Sequence, residues 1–211
     1  METHRNSEKI LEISRKMRTI YSKIPEDNDE RVMDQIEKLL ISNSKSMKSI
    51  TDFLQETAFV ISRLSGFMEV LIALKRKGTD IFKYQAFIGF RKDVESKISK
   101  REFRMKDMFD KKKYPCFDLT DFTKFYPAEW KPYTEEEMND FNRPTIIATE
   151  RTSDDKFVEG DYFCIFIYGP RKELMGWMEL SRTRDGKIPS RKTIKWLELI
   201  SLIIGREYAG F

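Results

Sequence analysis

Residues 161–205 read DYFCIFIYGPRKELMGWMELSRTRDGKIPSRKTIKWLELISLIIG, and this stretch decides the fold. Tyr162–Tyr168 is an unbroken run of aromatic, β-branched and small apolar residues, the composition of a strand buried on both faces. Gly169-Pro170 ends it with turn chemistry. Leu174–Leu180 is a second apolar strand, in which Gly176 marks a place where a side chain would crowd a neighbour. Pro189-Ser190 opens a helix with Ser190 as its N-cap. Ile194, Trp196, Leu197, Leu199, Ile200, Leu202, Ile203 and Ile204 then cover most of that helix's circumference. A helix apolar nearly all round must bury more than one side. It is expected to face its own sheet and a second surface, such as another subunit.

Upstream, Pro144–Thr149 reads as a further strand, ahead of the loop 150–160. Residues 104–142 are irregular, with Pro115, Pro127 and Pro132 scattered among aromatic and charged side chains. Within them Cys116–Phe122 is a candidate short strand, and Thr134 is placed to cap a short helix beginning Glu135-Glu136-Glu137. Arg91–Phe103 is polar and expected to be helical. Phe67–Leu74 and Ile81–Phe90, joined by Lys75-Arg76-Lys77-Gly78-Thr79, make a hairpin. The helix before it carries Met47, Ile50, Leu54, Ile61 and Leu64 at helical spacing, ends at Ser65-Gly66, and has possible caps in the serine run 42–46. Two more helices precede it. The first, residues 6–24, places Ile10, Ile13, Met17, Ile20 and Ile24 on a heptad seam; the second spans about Asp29–Leu40. The reading is an N-terminal helical segment, residues 1–43, expected to dimerise, followed by an α/β (α+β) domain, residues 44–211. A mixed antiparallel sheet with the first and last helices of that domain on one face satisfies the order of elements.

Composition sets limits. A 40% hydrophobic and 13% aromatic content supports a packed core rather than disorder. No run of 18 apolar residues exists to span a membrane, and METHRNSEKI lacks a signal core, so a cytoplasmic location is expected. Cys116 and Cys164 are 48 positions apart and are expected to stay reduced there. The net charge of +4 conceals opposed blocks. Residues 91–113 hold ten Lys/Arg against five Asp/Glu, and residues 134–161 hold nine acidic against three basic residues. Solvated faces account for them, and steering of a charged ligand or partner is the alternative.

The span from about Ser44 to Tyr208 resembles a GAF domain. The features that carry this are SGFMEVLIAL at 65–74, Glu159-Gly160-Asp161 before YFCIFIY, and Met175-Gly176-Trp177-Met178-Glu179-Leu180. Asp185-Gly186-Lys187-Ile188-Pro189-Ser190 before IKWLELISLIIG completes the set. The resemblance implies a sheet of about six antiparallel strands, in order 2-1-5-4-3 with variants, flanked by helices, with a small-molecule pocket on the sheet face under the middle insert. It also implies dimerisation through the terminal helices and action on a signalling partner.

Most chemistry is excluded by residue type. The one histidine is His4, which removes Ser-His-Asp and Cys-His catalysis and histidine-based metal sites from the fold. No CxxC and no phosphate-binding glycine loop occurs. The chain is therefore expected to be no enzyme and to hold no metal or cofactor. The cyclic-nucleotide signature of some GAF domains is absent, and Cys116 is followed by Phe117 where bilin-attaching cysteines are usually followed by histidine. The candidate ligand-binding residues are Cys116, Phe117, Phe122, Tyr126, Trp130, Tyr133, Tyr162 and Trp177, an aromatic set suited to a flat or apolar ligand. The functional expectation is a homodimeric small-molecule sensor. The alternatives are a ligand-free dimerising scaffold, or a nucleic-acid-associated regulator using Arg91–Lys113 and the cluster Arg182, Arg184, Lys187, Arg191 and Lys192. Nucleic acid ranks last, since no recognition motif accompanies those charges.

Overall fold

A computed structural model describes residues 28–43, 49–130, 133–139, 141–147 and 150–210. The chain divides into two units, Met1–Lys38 and Leu39–Phe211. Helix α1, Asn28–Asn43, sets Val32, Ile36 and Leu39 on one stripe, all three buried. The heptad seam Ile10–Ile24 and Ser44 and Ser46 of the serine run lie outside the described residues.

Helix α2, Ile50–Ser65, starts later than the serine run suggested, because Ser49 supplies the cap. Its Oγ accepts the Asp52 N–H at 3.2 Å. Gly66 ends the helix at φ 77°, a left-handed turn that glycine adopts without strain. Strands β1, Phe67–Lys75, and β2, Ile81–Ile88, form the expected hairpin. Helix α3 stops at Lys92–Ile98 instead of running to Phe103, since Phe103–Arg104 leave it as β3 to pair with Phe82 and Ile81. One helical turn, α4, Met105–Met108, follows.

The expected strand Cys116–Phe122 is broken in two. Phe117–Asp118 is β4, Thr123–Tyr126 is β5, and the turn between them returns the Leu119 and Thr120 N–H groups to the Thr123 carbonyl. Thr134 caps the short helix α5, Glu135–Met138, through a reciprocal capping box with Glu137, as expected. The described part of the expected strand Pro144–Thr149, residues 144–147, is not a strand. Pro144–Ile146 is a single 3-10 turn, because the edge of the sheet that it would join is taken by β5 and its first residue has no N–H to give a ladder. Strands β6, Tyr162–Tyr168, and β7, Leu174–Thr183, and helix α6, Arg191–Gly210, close the fold. Ser190 Oγ caps α6 by accepting the Thr193 N–H at 3.1 Å.

The sheet has order β3-β2-β1-β7-β6-β5-β4 with every pairing antiparallel. Its central strands follow the expected order 2-1-5-4-3, with β5 in the place expected for Pro144–Thr149. The count rises from six to seven because β3 and β4 are two-residue edge strands, too short to show a period. Helix α2 packs on β1 and β2, and α6 on β6 and β7, so both cover one face. Phe53, Leu54 and Ile61 of α2 and Leu197, Ile200 and Ile204 of α6 bury themselves there. Against them stand Val70, Ile72, Ile165, Ile167, Met178 and Leu180 of the strands. Each such side chain contributes about 1.5–3 kcal/mol. The two helices do not use up their apolar surface: Leu199 and Leu202 of α6 stay 41% and 43% exposed.

Candidate functional site

The opposite face of the sheet is the aromatic one. Alternation places Leu71 and Ala73 of β1, Cys164 and Phe166 of β6, and Trp177 and Glu179 of β7 on it in direct cross-strand register. Phe82 and Tyr84 of β2 and Tyr126 of β5 join them. Val94 and Ile98 of α3 close over this surface, followed by Phe103, Phe109, Tyr114 and Cys116 from the insert. Trp177 is the centre, 0% exposed, with the rings of Phe82, Phe109, Tyr84 and Phe103 at 4.9, 5.2, 6.4 and 6.5 Å between centroids.

Glu179 lies beside Trp177 and is half-buried. Its Oε1 accepts two hydrogen bonds, from the Tyr84 hydroxyl at 2.5 Å and from Trp177 Nε1 at 2.7 Å. Among the described residues Oε2 has no hydrogen-bond partner, and no lysine or arginine is paired with either oxygen. Lys124, on the same face, is turned instead to Asp118, which with Lys111 holds that carboxyl down at about 2. Burial pushes the Glu179 carboxyl above the usual range, outweighing the two donors that hold it down. The same crowding raises the phenols around it. Burial and then the Glu179 charge push up Tyr84 and Tyr162, and Tyr126 and Tyr133 are raised chiefly by burial.

A carboxyl raised in the folded state destabilises as pH climbs from its unfolded value of about 4.5 through the folded one, and the penalty is complete above the latter. Glu179→Gln keeps the Oε1 acceptor for Tyr84 and Trp177 and removes the charge. It is expected to raise Tm at pH 8 by roughly 2–4 °C, for a gain of about 1 kcal/mol. The gain should vanish near pH 4.5, which a melting series against pH measures.

Of the eight sequence candidates, the fold brings four to this face and holds Tyr133 at the loop that leads into β6. Tyr126 stacks on Tyr162 at 4.5 Å and 5° between planes, Trp177 and Cys116 belong to the same cluster, and Tyr133 donates to the Gly160 carbonyl at 2.6 Å. Phe117 and Trp130 do not join them. The pairing Phe117–Phe125–Phe163 puts Phe117 on the helix-bearing face, where it meets the Trp130 ring at 4.1 Å and both remain well exposed. Phe122 sits in the β4–β5 turn with its ring against Tyr168 at 5.6 Å. Glu179 and Tyr84 were missed by the aromatic criterion. Their signal was phase: a carboxylate two residues from a tryptophan in a strand apolar on both faces must be buried with it.

Polar bonds fasten the insert. Glu69, buried in β1, accepts from Asn142 Nδ2 at 2.7 Å and Ser181 Oγ at 2.9 Å, and Arg143 pairs with Glu159 at 2.5 Å. Asp161 accepts the Ala128 and Val158 N–H groups at 2.9 Å each and Arg151 Nη2 at 2.8 Å. On the helix-bearing face, Glu198 of α6 accepts from Thr120 and, at 2.8 Å, from Thr123 of β5, with Lys195 Nζ at 2.6 Å. Burial opposes the Glu198 charge, but these donors hold its carboxyl below the usual range.

No protein-family model and no curated protein matches the chain. Solved structures do. The GAF domain of a Coxiella burnetii phosphoenolpyruvate-protein phosphotransferase is 7% identical, with TM-score 0.57 over 87% of this chain and 96% of that one. The corresponding Acinetobacter domain is 10% identical, with TM-score 0.54 over 84% and 92%. A bacteriophytochrome from R. palustris is 11% identical, with TM-score 0.53 over 87% of this chain and 38% of its own. At these identities the likeness is one of fold. Among the described residues no helix is long and apolar enough to cross a membrane.

Proposed function

We propose that this chain, whose fold is that of a GAF domain, is a non-enzymatic sensory module. It holds a small molecule between the aromatic sheet face and the insert and reports occupancy through α6. The observation that carries this reading is the position of β5. On one face the strand presents Tyr126, stacked on Tyr162 beside Glu179. On the other its Thr123 hydroxyl donates to Glu198 of α6. A ligand that shifts β5 by a fraction of an ångström changes both ends at once, and a population shift needs only such a difference in contacts between two states. The kinship in fold to domains of a bacteriophytochrome and of phosphotransferase proteins supports a regulatory role. The output is a protein partner or a second copy of the chain in the reducing cytoplasm, docked on the exposed Leu199 and Leu202 of α6.

Native mass spectrometry of the purified protein tests subunit number and co-purified ligand together. Hydrogen exchange then compares α6 and β5 with and without the ligand found. Altered protection in both supports the coupling, and unchanged protection in both overturns it. Leu202→Glu is expected to convert a dimer to monomer, read by mass and sedimentation, while the folding stability of the single chain changes by no more than about 0.5 kcal/mol, since the residue is outside the core. A second reading, a ligand-free dimerising scaffold, is favoured by the complete burial of Trp177. A dimer that never carries extra mass and binds no added compound selects it.

A further inference from the structure

Glu179 is the one feature of the aromatic face that packing alone does not explain. The residue stands in the middle of the central strand β7, in register with Cys164 on one side and Leu71 on the other, both buried. A glutamate there costs stability, because a charge taken out of water without a countercharge is unfavourable. Tyr84 and Trp177 hold Oε1 rigidly, so the carboxylate is aimed, not mobile. Oε2 is left for something else, and Glu179 keeps part of its surface accessible although side chains crowd it. Tyr162, Tyr114 and Cys116 of the same aromatic cluster, and Tyr133 of the insert, are likewise only half-buried.

We infer that this space binds a small organic cation, an amine, a quaternary ammonium or a protonated nitrogen heterocycle, with Glu179 Oε2 as its countercharge and the tyrosine rings as its walls. The inference rests on the pocket reading above and names its ligand class. Three points of chemistry select a cation. The faces of tyrosine and tryptophan rings attract positive charge, the more so where water is excluded. An anion would meet Glu179, whose oxygens pair with no lysine or arginine among the described residues: Lys124 lies over the Phe166 ring and pairs with Asp118, Lys113 lies over the Tyr114 ring, Arg143 pairs with Glu159, and Arg151 with Glu129 and Asp161. A neutral donor would satisfy Oε2 and leave the buried charge uncompensated. A metal ion does not fit either, because among the described residues no group of three acidic, histidine or cysteine side chains converges.

The test uses the full chain and fragments matched in threes, each triplet keeping one ring and carrying on it a cationic, a neutral or an anionic group. Tyramine, 4-ethylphenol and 4-hydroxyphenylacetate are one such set, and benzyltrimethylammonium, neopentylbenzene and phenylacetate another, extended to protonated pyridines and imidazoles. Ligand-observed NMR reads binding to the wild type, to Glu179→Gln, and to Asp154→Asn, which removes one negative charge from an exposed loop. The expected result is binding of cationic members, weakened about tenfold or more by Glu179→Gln and unchanged by Asp154→Asn. Thermal melting of Glu179→Gln shows that the loss does not come from unfolding, since this variant is expected to melt no lower than the wild type. Binding without charge preference, or cations that bind Glu179→Gln as tightly as the wild type, overturns the cation inference and leaves the pocket standing. If no member of any triplet binds the wild type, the cation inference and the pocket reading fall together.

Discussion

Asp161→Ala is expected to destabilise the protein by about 3–5 kcal/mol, the cost of breaking a buried charge pair from one side. Asp161 is 1% exposed. Its two oxygens hold the Ala128 and Val158 N–H groups and the Arg151 guanidinium, so the substitution orphans three donors at once. Arg151 cannot shed its charge, because its bonds to Glu129 and Asp161 raise a pKa that is already high. It retains Glu129, to which Nε and Nη2 donate at 2.7 and 2.9 Å, but that partner lies at the surface, where a pair contributes only about 0–1 kcal/mol. In a chain of this size the loss corresponds to a fall in Tm of roughly 10 °C. Urea unfolding of Asp161→Ala against the wild type measures it. A difference below about 1 kcal/mol would mean that water replaces the carboxylate, and that the loop 150–160 is not fastened to β5 and β6 as described.

Gly205→Ala is expected to be the second costly change, and two effects of opposite sign compete in it. Ala is the better helix former by about 1 kcal/mol, which favours the substitution within α6. The tertiary contact opposes it: a Cβ at position 205 would stand 2.1 Å from the Tyr168 carbonyl oxygen and 2.8 Å from its carbon. That neighbour is strand backbone and cannot rotate away, so α6 must lift from β6. Overpacking of this kind costs typically 1–3 kcal/mol and more against a rigid partner, so the clash wins and a net loss of about 2 kcal/mol is expected. Because Glu198 of the same helix holds Thr120 and Thr123, the lift should also speed exchange of amides in β5. A stability equal to or above the wild type would show that the helix seats more loosely on the sheet.

Local chemistry made much of this fold legible. Tyr162–Tyr168 could be nothing but a buried strand, since its run of β-branched and aromatic side chains has no polar face to turn outward, and Leu174–Leu180 is apolar but for Glu179. Gly66 and Ser190 mark helix ends for stereochemical and hydrogen-bonding reasons contained in a few neighbouring residues. Gly176 is a partner-dependent case that was still readable, because a glycine inside an apolar strand loses stability unless another backbone is close. The Ala73 carbonyl, 2.1 Å from where its Cβ would be, is that backbone.

What the chain's own residues determined is thus the identity of most of its long elements, the face that carries the helices, and the aromatic material of the candidate site. Each depends on periodicity or on a turn residue, properties of neighbours in sequence. Only the tertiary structure decided where β5 lies and that Pro144–Ile146 is excluded from the sheet, because two segments competed for one edge of β6. It alone separated Phe117 and Trp130 from Trp177, since a strand's register sends alternate side chains to opposite faces and a one-residue difference moves a ring across the sheet. And it alone set the surroundings of Glu179: the Tyr84 hydroxyl that holds its carboxylate comes from a strand 95 positions away, a meeting that no local pattern encodes.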